Sequence, residues 1–277
     1  MGLGTGLKNF SEKHPERFYD VGIAEEHAVT FASGLAKNNL KPVYAVYSTF
    51  FQRCYDQLIH DISLQKMKVI FAVDRAGFVG EDGETHHGIF DVSFLGTVPE
   101  LKIYSPCCYR SLKADINNAL YADEYSVAVR YPRGNPKENV QKLRYDSIEY
   151  STYGNCESDA VLVTYGRITS EAIDAVDALK EKGEEIFLVS LNQIKPIPED
   201  VFALLMNKKN IFFFEEGMRN GGIAERLGSM LLERGYCGKY RIRAIENKFV
   251  EQASVSELLS IYGLDSKSMI EFTGENK

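Results

Sequence analysis

DVGIAEEHAVTFASG, residues 20–34, is the stretch that sets the pattern for the rest of the chain. The residues just before the turn, RFYDV, predict a short strand, Gly22 permits the turn, and residues 24–36 predict a helix. Alanines at positions 24, 28 and 32 give that helix one smooth face, against which a neighbouring backbone can pack closely. The stretch therefore predicts a strand–turn–helix unit.

Glu25 stands where the predicted strand ends and the predicted helix begins, with His27 two residues later. Desolvation favours the protonated form of a carboxyl group in such an apolar place, as in many acid–base catalysts. A carboxylate that merely suits the helix dipole is the simpler interpretation, and this segment alone favours it.

Composition excludes several classes of protein. The chain has 277 residues, enough for two domains, with 44% hydrophobic and 26% charged residues. A net charge of −7 without a basic run argues against a nucleic-acid partner. Five cysteines without a C-x-x-C pair predict reduced thiols in a cytoplasmic protein. No apolar run approaches membrane-spanning length and no signal-peptide pattern begins the chain, so we expect no membrane partner.

Strand and helix patterns alternate along both halves of the chain. Predicted strands in the first half are KPVYAVYS, MKVIFAVD, LKIYSP and YSVAVRYP; those in the second are DAVLVTYG, EIFLVSLN, NIFFFEEG and KYRIRAI. Such near-continuous apolar strands predict parallel sheets covered on both faces. The fold class is therefore α/β, with two doubly wound domains at 1–135 and 158–277. The polar segment 136–157 has no clear period and is interpreted as a linker.

Polar residues follow several predicted strands of the first half. Open α/β sheets bind ligands beyond the carboxyl ends of their strands. The second half has fewer such residues, so we place the chemistry in the first. The residues that we expect to meet at one edge are Glu25, Tyr47 to Arg53, Asp74, Arg75 and Tyr131 to Arg133.

Four long motifs containing these residues carry a resemblance to a known family. In order they are DVGIAEEHAVTFASGLA, YSTFFQRCYDQLIHD, DRAGFVGEDGETHHGIFD and YPRGN. They closely resemble the 1-deoxy-D-xylulose 5-phosphate synthases, thiamine-diphosphate enzymes of the transketolase superfamily. DRAG, THHG and YPRG favour these synthases over transketolases proper. VTYGRITSEA, IKPIPED and EEGMRNGGIAE are similar to the family's C-terminal domain.

The resemblance implies a pyrimidine-binding domain, N-terminally incomplete, followed by a transketolase C-terminal-like domain. The family's first domain, which binds the cofactor's diphosphate and Mg²⁺, has no counterpart here, because no G-D-G followed by a metal-binding Asn occurs. We expect that domain to belong to the same protein or to a separate polypeptide. The isolated chain is therefore expected to be inactive and to hold no metal ligands.

The resemblance also assigns roles residue by residue. Glu25 would hydrogen-bond the aminopyrimidine ring and favour its catalytic tautomer, Phe50 would stack on that ring, and His27 would lie near it. Arg75 and Arg133 would bind phosphate, because guanidinium groups suit phosphate oxygens. The remaining residues assigned to acceptor-substrate contact are Tyr47, Arg53, Asp82 and His86, the last also counted as catalytic.

Simpler interpretations stand beside these roles. Phe50 and His27 also fit core packing, and Arg53 also fits a helix salt bridge to Asp56 or Asp61. His86 and His87 do not suggest a metal pair, since adjacent side chains diverge. Glu26 stands where the family more often has Gln. Either repulsion between the Glu25 and Glu26 carboxylates raises the proton affinity of one of them, or Glu26 points elsewhere.

The function implied is condensation of pyruvate with D-glyceraldehyde 3-phosphate, with loss of CO₂, for isoprenoid, thiamine and pyridoxal synthesis. A homodimer is expected, with the helix in GGIAERLGSMLLERG as a candidate contact. Two alternatives stay open: a subunit of a split transketolase-like enzyme acting on other sugar phosphates, or a non-catalytic dimeric binding module. The joint presence of Glu25, Arg75 and Arg133 disfavours the binding module.

Overall fold

The apolar strands form two sheets in the computed structural model, which describes residues 4–275. In chain order the strands are β1 (Val43–Tyr47), β2 (Ile70–Asp74), β3 (Lys102–Tyr104), β4 (Val127–Tyr131), β5 (Arg144–Tyr145), β6 (Tyr150–Gly154), β7 (Ala160–Tyr165), β8 (Phe187–Leu191), β9 (Gln193–Lys195), β10 (Asn210–Met218) and β11 (Lys239–Ile245). The first sheet has the order β1-β2-β4-β3-β9 and the second β11-β10-β7-β8-β6-β5.

Helices connect the parallel strands, as the alternating pattern predicts. They are α1 (Lys8–Lys13), α2 (Glu25–Lys37), α3 (Ser48–Phe51), α4 (Tyr55–Gln57), α5 (Asp91–Leu95), α6 (Tyr109–Tyr121), α7 (Thr169–Glu181), α8 (Glu199–Leu205), α9 (Ile223–Glu233), α10 (Val255–Ile261) and α11 (Ser266–Glu275). The predicted class, two α/β domains built on mainly parallel sheets, is confirmed. None of the helices in the described part of the chain is both long and apolar enough to cross a membrane.

Three local predictions are wrong. Residues 17–21 form no strand and pair with neither sheet of the described chain. Segment 136–157 is not only a connection, since β5 and β6 within it join the second sheet as antiparallel edge strands. The sheets are also not wholly parallel, because β9 leaves the second half and pairs antiparallel with β3. The domain boundaries themselves remain a prediction.

The two halves share one buried apolar cluster, which includes Val29 and Phe71 from the first half and Val163 and Phe213 from the second. The apolar face of α9 lies in this cluster through residues 223, 224, 227 and 231. That face therefore packs inside the chain, so a dimer contact through α9 would have to use the exposed side that carries Leu232. The homodimer stays a prediction.

A buried ion pair joins Arg130 on β4 to Asp91 at the start of α5. Arg130 on β4 donates from Nε to Asp91 Oδ2 at 2.9 Å and from Nη2 to Asp91 Oδ1 at 3.2 Å. Both residues are at least 97% buried. The guanidinium also lies 5.3 Å from the ring of Tyr165, whose hydroxyl donates to Glu215 at 2.6 Å. The pair therefore links the central strand of the first sheet to the second domain.

Replacing Asp91 by Asn should lower the free energy of unfolding by about 3–5 kcal/mol, because it leaves Arg130 buried without a counter-charge. Urea denaturation followed by circular dichroism measures this loss. The matched control is Asp159→Asn, which breaks an exposed pair with Lys209 (2.7 Å) and should cost less than about 1 kcal/mol. Equal losses in the two variants would contradict the assignment.

Candidate functional site

The carboxyl ends of three neighbouring strands place three side chains in one row. Tyr47 on β1 is the direct Cα partner of Asp74 on β2, and Asp74 is the direct partner of Tyr131 on β4. Arg75 follows the end of β2 directly, and Arg133 lies two residues beyond the end of β4. The predicted convergence of strand-end residues is therefore present in the structure.

Glu25 is the first residue of α2 and is buried, with 4% of its surface exposed. Its carboxylate accepts from Arg53 Nη1, at 3.2 Å to Oε1 and 3.3 Å to Oε2. The alternative interpretation of Arg53, a salt bridge to Asp56 or Asp61, is therefore wrong. Glu26 is exposed, so the two adjacent carboxylates face different surroundings.

Three aromatic rings form a series of contacts that begins at Arg53, the partner of Glu25. Phe50 is half-buried and lies nearly parallel to Tyr47, with ring centroids 5.9 Å apart, while His86 meets Phe50 edge-on at 5.3 Å. The Arg53 guanidinium lies 5.1 Å from the Phe50 ring, and that of Arg75 lies 3.7 Å from the Tyr47 ring. The rings therefore connect the Glu25 end of the site to the arginine end.

Asp82 joins Arg75 and Arg133, the two arginines to which the resemblance assigns phosphate binding. Its Oδ1 accepts from Arg133 Nη1 at 2.7 Å, and its Oδ2 lies 3.5 Å from Arg75 Nε. Arg75 also donates to Asp74 Oδ2 at 2.7 Å. Burial raises the pKa of Asp74, and the Arg75 guanidinium opposes that rise.

The backbone of Arg75 is held in an unusual conformation. Its φ of 62° is left-handed, which costs free energy for a residue that is not glycine. The Arg75 amide donates to Asp74 Oδ1 at 2.7 Å. A Cβ at Gly88 would lie 2.1 Å from the Arg75 carbonyl oxygen, so only glycine fits against it. The left-handed backbone of Arg75 is therefore held by the Asp74 carboxylate and by the close approach of Gly88.

The two ends of the site open into different cavities. Arg75 and Arg133 line a cavity of about 920 Å³, to which Arg167 and other residues of the second half also contribute. Glu25 lines a second cavity of about 360 Å³, and Tyr131 borders both.

His27 is the one predicted site residue that these contacts leave out. It is exposed, and its ring lies 6.0 Å from Phe31. Its interpretation as a buried core histidine is wrong, and its role near a cofactor remains a prediction. Among residues 4–275 there is no cluster of three or more His, Cys, Asp or Glu residues that could hold a metal ion.

Two adjacent cysteines on the wall of the larger cavity were not singled out from the sequence. Cys108 caps α6, and its Sγ lies 3.4 Å from Ser111 Oγ and 3.2 Å from the Tyr145 hydroxyl. A hydrogen bond from the Cys107 thiol, together with those two hydroxyls, lowers the pKa of Cys108 to about 4 against the opposing effect of burial. The adjacent pair CC was the only sequence signal, because the Tyr145 hydroxyl comes from 37 residues away.

Cys108 should stay reactive toward iodoacetamide at low pH. A thiol with an ordinary pKa loses roughly two orders of magnitude in alkylation rate between pH 8 and pH 6, because only the thiolate reacts. Because the pKa of Cys108 is lowered to about 4, we expect it to react as the thiolate at both pH values, so its rate should change little.

Mass spectrometry of the modified peptide measures this rate, and Cys108→Ser identifies the peptide. Tyr145→Phe removes one of the hydrogen bonds that lower the pKa, so it should slow the reaction at pH 6. A Cys108 rate that falls between pH 8 and pH 6 like that of free cysteine would contradict the assignment.

Comparison with known families identifies the two halves. Residues 1–138 match the family described as transketolase, pyrimidine binding domain, and residues 153–269 match transketolase, C-terminal domain. The chain belongs to the transketolase family. The first matched range contains β1 to β4, and the second contains β7 to β11, of which β9 pairs with the first sheet. β5 and the first residues of β6 lie between the two ranges.

Relatives named 1-deoxy-D-xylulose-5-phosphate synthase match almost the whole chain. The protein of Caldanaerobacter subterraneus is 40% identical over 97% of this chain and 43% of its own length. Those of Clostridium botulinum and Syntrophomonas wolfei are each 42% identical, over 97% and 98% of this chain and 44% and 43% of their own lengths. The chain thus spans less than half the length of these curated relatives.

Solved structures share the fold. A structure described as split gene transketolase, inactive β4 tetramer, has a TM-score of 0.77 at 21% identity, and the match covers 96% of this chain and 86% of that one. Transketolase from Campylobacter jejuni also has a TM-score of 0.77, at 17% identity, over 92% of this chain and 39% of its own.

Proposed function

We propose that the chain is the pyrimidine-binding and C-terminal part of a 1-deoxy-D-xylulose 5-phosphate synthase. The reaction would condense pyruvate with D-glyceraldehyde 3-phosphate, with loss of CO₂. Relatives with that name at about 40% identity support the assignment. The observation that carries it is a continuous path of contacts at one sheet edge, through Glu25, Arg53, Phe50, Tyr47, Arg75, Asp82 and Arg133.

The residues at the Glu25 end fit the aminopyrimidine of thiamine diphosphate. A carboxylate has two oxygens with about four lone-pair positions, so Glu25 keeps acceptor capacity beside its bond to Arg53. Arg53 contacts both Glu25 and the half-buried Phe50, which places a flat apolar surface beside the carboxylate. When bound, thiamine diphosphate supplies the carbon nucleophile for pyruvate. Glu25 would hold the ring nitrogen, and Phe50 would pack on the ring.

The residues at the arginine end fit the phosphate of the acceptor. Each guanidinium has five N–H donors, of which only a few are used by Asp74 and Asp82, and the Arg133 side chain is half exposed. Both arginines line the larger cavity, so the remaining donors can reach a phosphate there. Tyr47 and His86 would then contact the carbon end of the acceptor.

The diphosphate and Mg²⁺ would be held by a further domain, in the same protein or on a separate polypeptide. Support comes from the relatives, which are more than twice as long as the matched region. The chain alone would be inactive, and the assembled enzyme would be a cytoplasmic homodimer. Its product would feed isoprenoid, thiamine and pyridoxal synthesis.

Replacing Glu25 by Gln in the assembled enzyme should reduce turnover by at least about 100-fold, because an amide cannot hold the ring nitrogen in its active protonation state. The readout is CO₂ release from pyruvate in the presence of D-glyceraldehyde 3-phosphate. Glu26→Gln, one residue away on the exposed side of the helix, should keep turnover within about two-fold. Retained turnover in the Glu25 variant, or equal losses in both, would contradict the role.

A second candidate is a subunit of a split transketolase-like enzyme that transfers two-carbon units between other sugar phosphates. It is supported by the fold that this chain shares with a structure described as split gene transketolase. Donor preference distinguishes the two. A synthase uses pyruvate and releases CO₂, whereas a transketolase uses a ketose phosphate and releases none.

A further inference from the structure

Side chains from the C-terminal half of the chain bind the glycine-rich loop at residues 77–88 in the first half. This loop carries Asp82 and His86. Glu216 at the end of β10 accepts from the Phe78 amide at 2.8 Å, and Arg167 donates to the Phe78 carbonyl oxygen at 2.7 Å. Glu216 and Arg167 also form an ion pair with each other. Both backbone polar groups of Phe78 are therefore bound by side chains of the second domain.

Glu216 is buried, with 5% of its surface exposed, and it lies directly against the loop. A Cβ placed on Gly77 would lie 2.5 Å from the Glu216 carboxyl carbon, and Gly77 has a φ of 80°. Only glycine allows this approach. Glycine at position 77 is therefore required for the loop to pack against the Glu216 carboxylate of the second domain.

Further contacts fix the far side of the loop. Gln252 donates from Nε2 to the Glu81 carbonyl oxygen at 2.9 Å, and His87 Nε2 lies 3.2 Å from the Glu251 carbonyl oxygen. Residues 251 and 252 belong to the second domain, just before α10. The loop is thus held at both ends by the same domain.

The loop in turn positions two side chains, Asp82 and His86, at the end of the site proposed to bind the acceptor substrate. Asp82 lies next to Glu81 and contacts both Arg75 and Arg133. His86 lies next to His87 and contacts Phe50. A shift of the loop would therefore move the carboxylate between the two arginines and the imidazole beside the aromatic ring.

We propose that Glu216 is a positioning residue that makes recognition of the acceptor depend on the C-terminal domain. It holds the loop so that Asp82 keeps both guanidinium groups turned toward one phosphate. The identity of the acceptor, a phosphorylated aldehyde, rests on the proposed function. The positioning itself does not, because it concerns contacts within this chain.

The first test is kinetic and uses the assembled enzyme. Glu216→Gln should raise the KM for D-glyceraldehyde 3-phosphate about ten-fold, the usual effect of losing a charged hydrogen bond, while the KM for pyruvate stays within about two-fold. Gln252→Ala, a change at an exposed residue, should raise the same KM about three-fold. Glu246→Gln, which breaks an exposed pair with Arg219, is the matched control and should leave both KM values unchanged.

The second test needs no activity. Hydrogen–deuterium exchange of the chain should become faster in peptides covering residues 77–88 in the Glu216 and Gln252 variants, and stay unchanged in α2. A merely structural role for Glu216 would reduce the amount of active enzyme without changing one KM selectively.

Unchanged exchange in the loop, or an unchanged acceptor KM in the folded variants, would overturn the proposal. A wild-type assembly that lacks synthase activity would contradict the proposed function instead. The exchange measurement would then still decide whether Glu216 holds the loop.

Discussion

The row formed by Tyr47, Asp74 and Tyr131 is the constraint on which the site depends. Backbone hydrogen bonds between parallel strands fix the register of β1, β2 and β4, and all three strands end at the same level. The residues that follow, Arg75 and Arg133, are thereby brought together from positions 58 residues apart in the chain. No side-chain interaction has to bring them together, because the sheet does so first.

Charge compensation is the second feature that organises the molecule. Each buried or half-buried cation near the site has an anion in contact: Arg53 has Glu25, Arg75 has Asp74, and Arg130 has Asp91. Asp82 differs because it contacts two cations, and it lies on a loop rather than on a strand. The binding edge thus combines rigid positions at strand ends with one charged group whose position is set by a loop.

Much of this arrangement is predictable from the sequence. Continuous apolar strands separated by amphipathic helices predict parallel sheets, and polar residues at strand exits predict the edge where Arg75 and Arg133 lie. Glu25 was placed at that edge from a strand that the structure does not form, and side-chain contacts connect it to the arginines. The errors have physical causes. Residues 193–195 are too few to show a strand period, and β9 is recognisable only by its pairing with β3. Residues 17–21 have strand-like side chains but no partner strand in the described chain. Glu216 was missed because two carboxylates after NIFFF say nothing about a loop 138 residues earlier in the chain.

The measurement that tests the central claim most directly is a calorimetric titration of the purified chain with thiamine diphosphate and Mg²⁺, with and without an added diphosphate-binding domain. If the chain supplies only the pyrimidine half of the coenzyme pocket, the chain alone should show no saturable binding below about 1 mM. The mixture should then bind with a Kd of about 10 μM or tighter. Micromolar binding by the chain alone, or no binding by the mixture, would contradict the account.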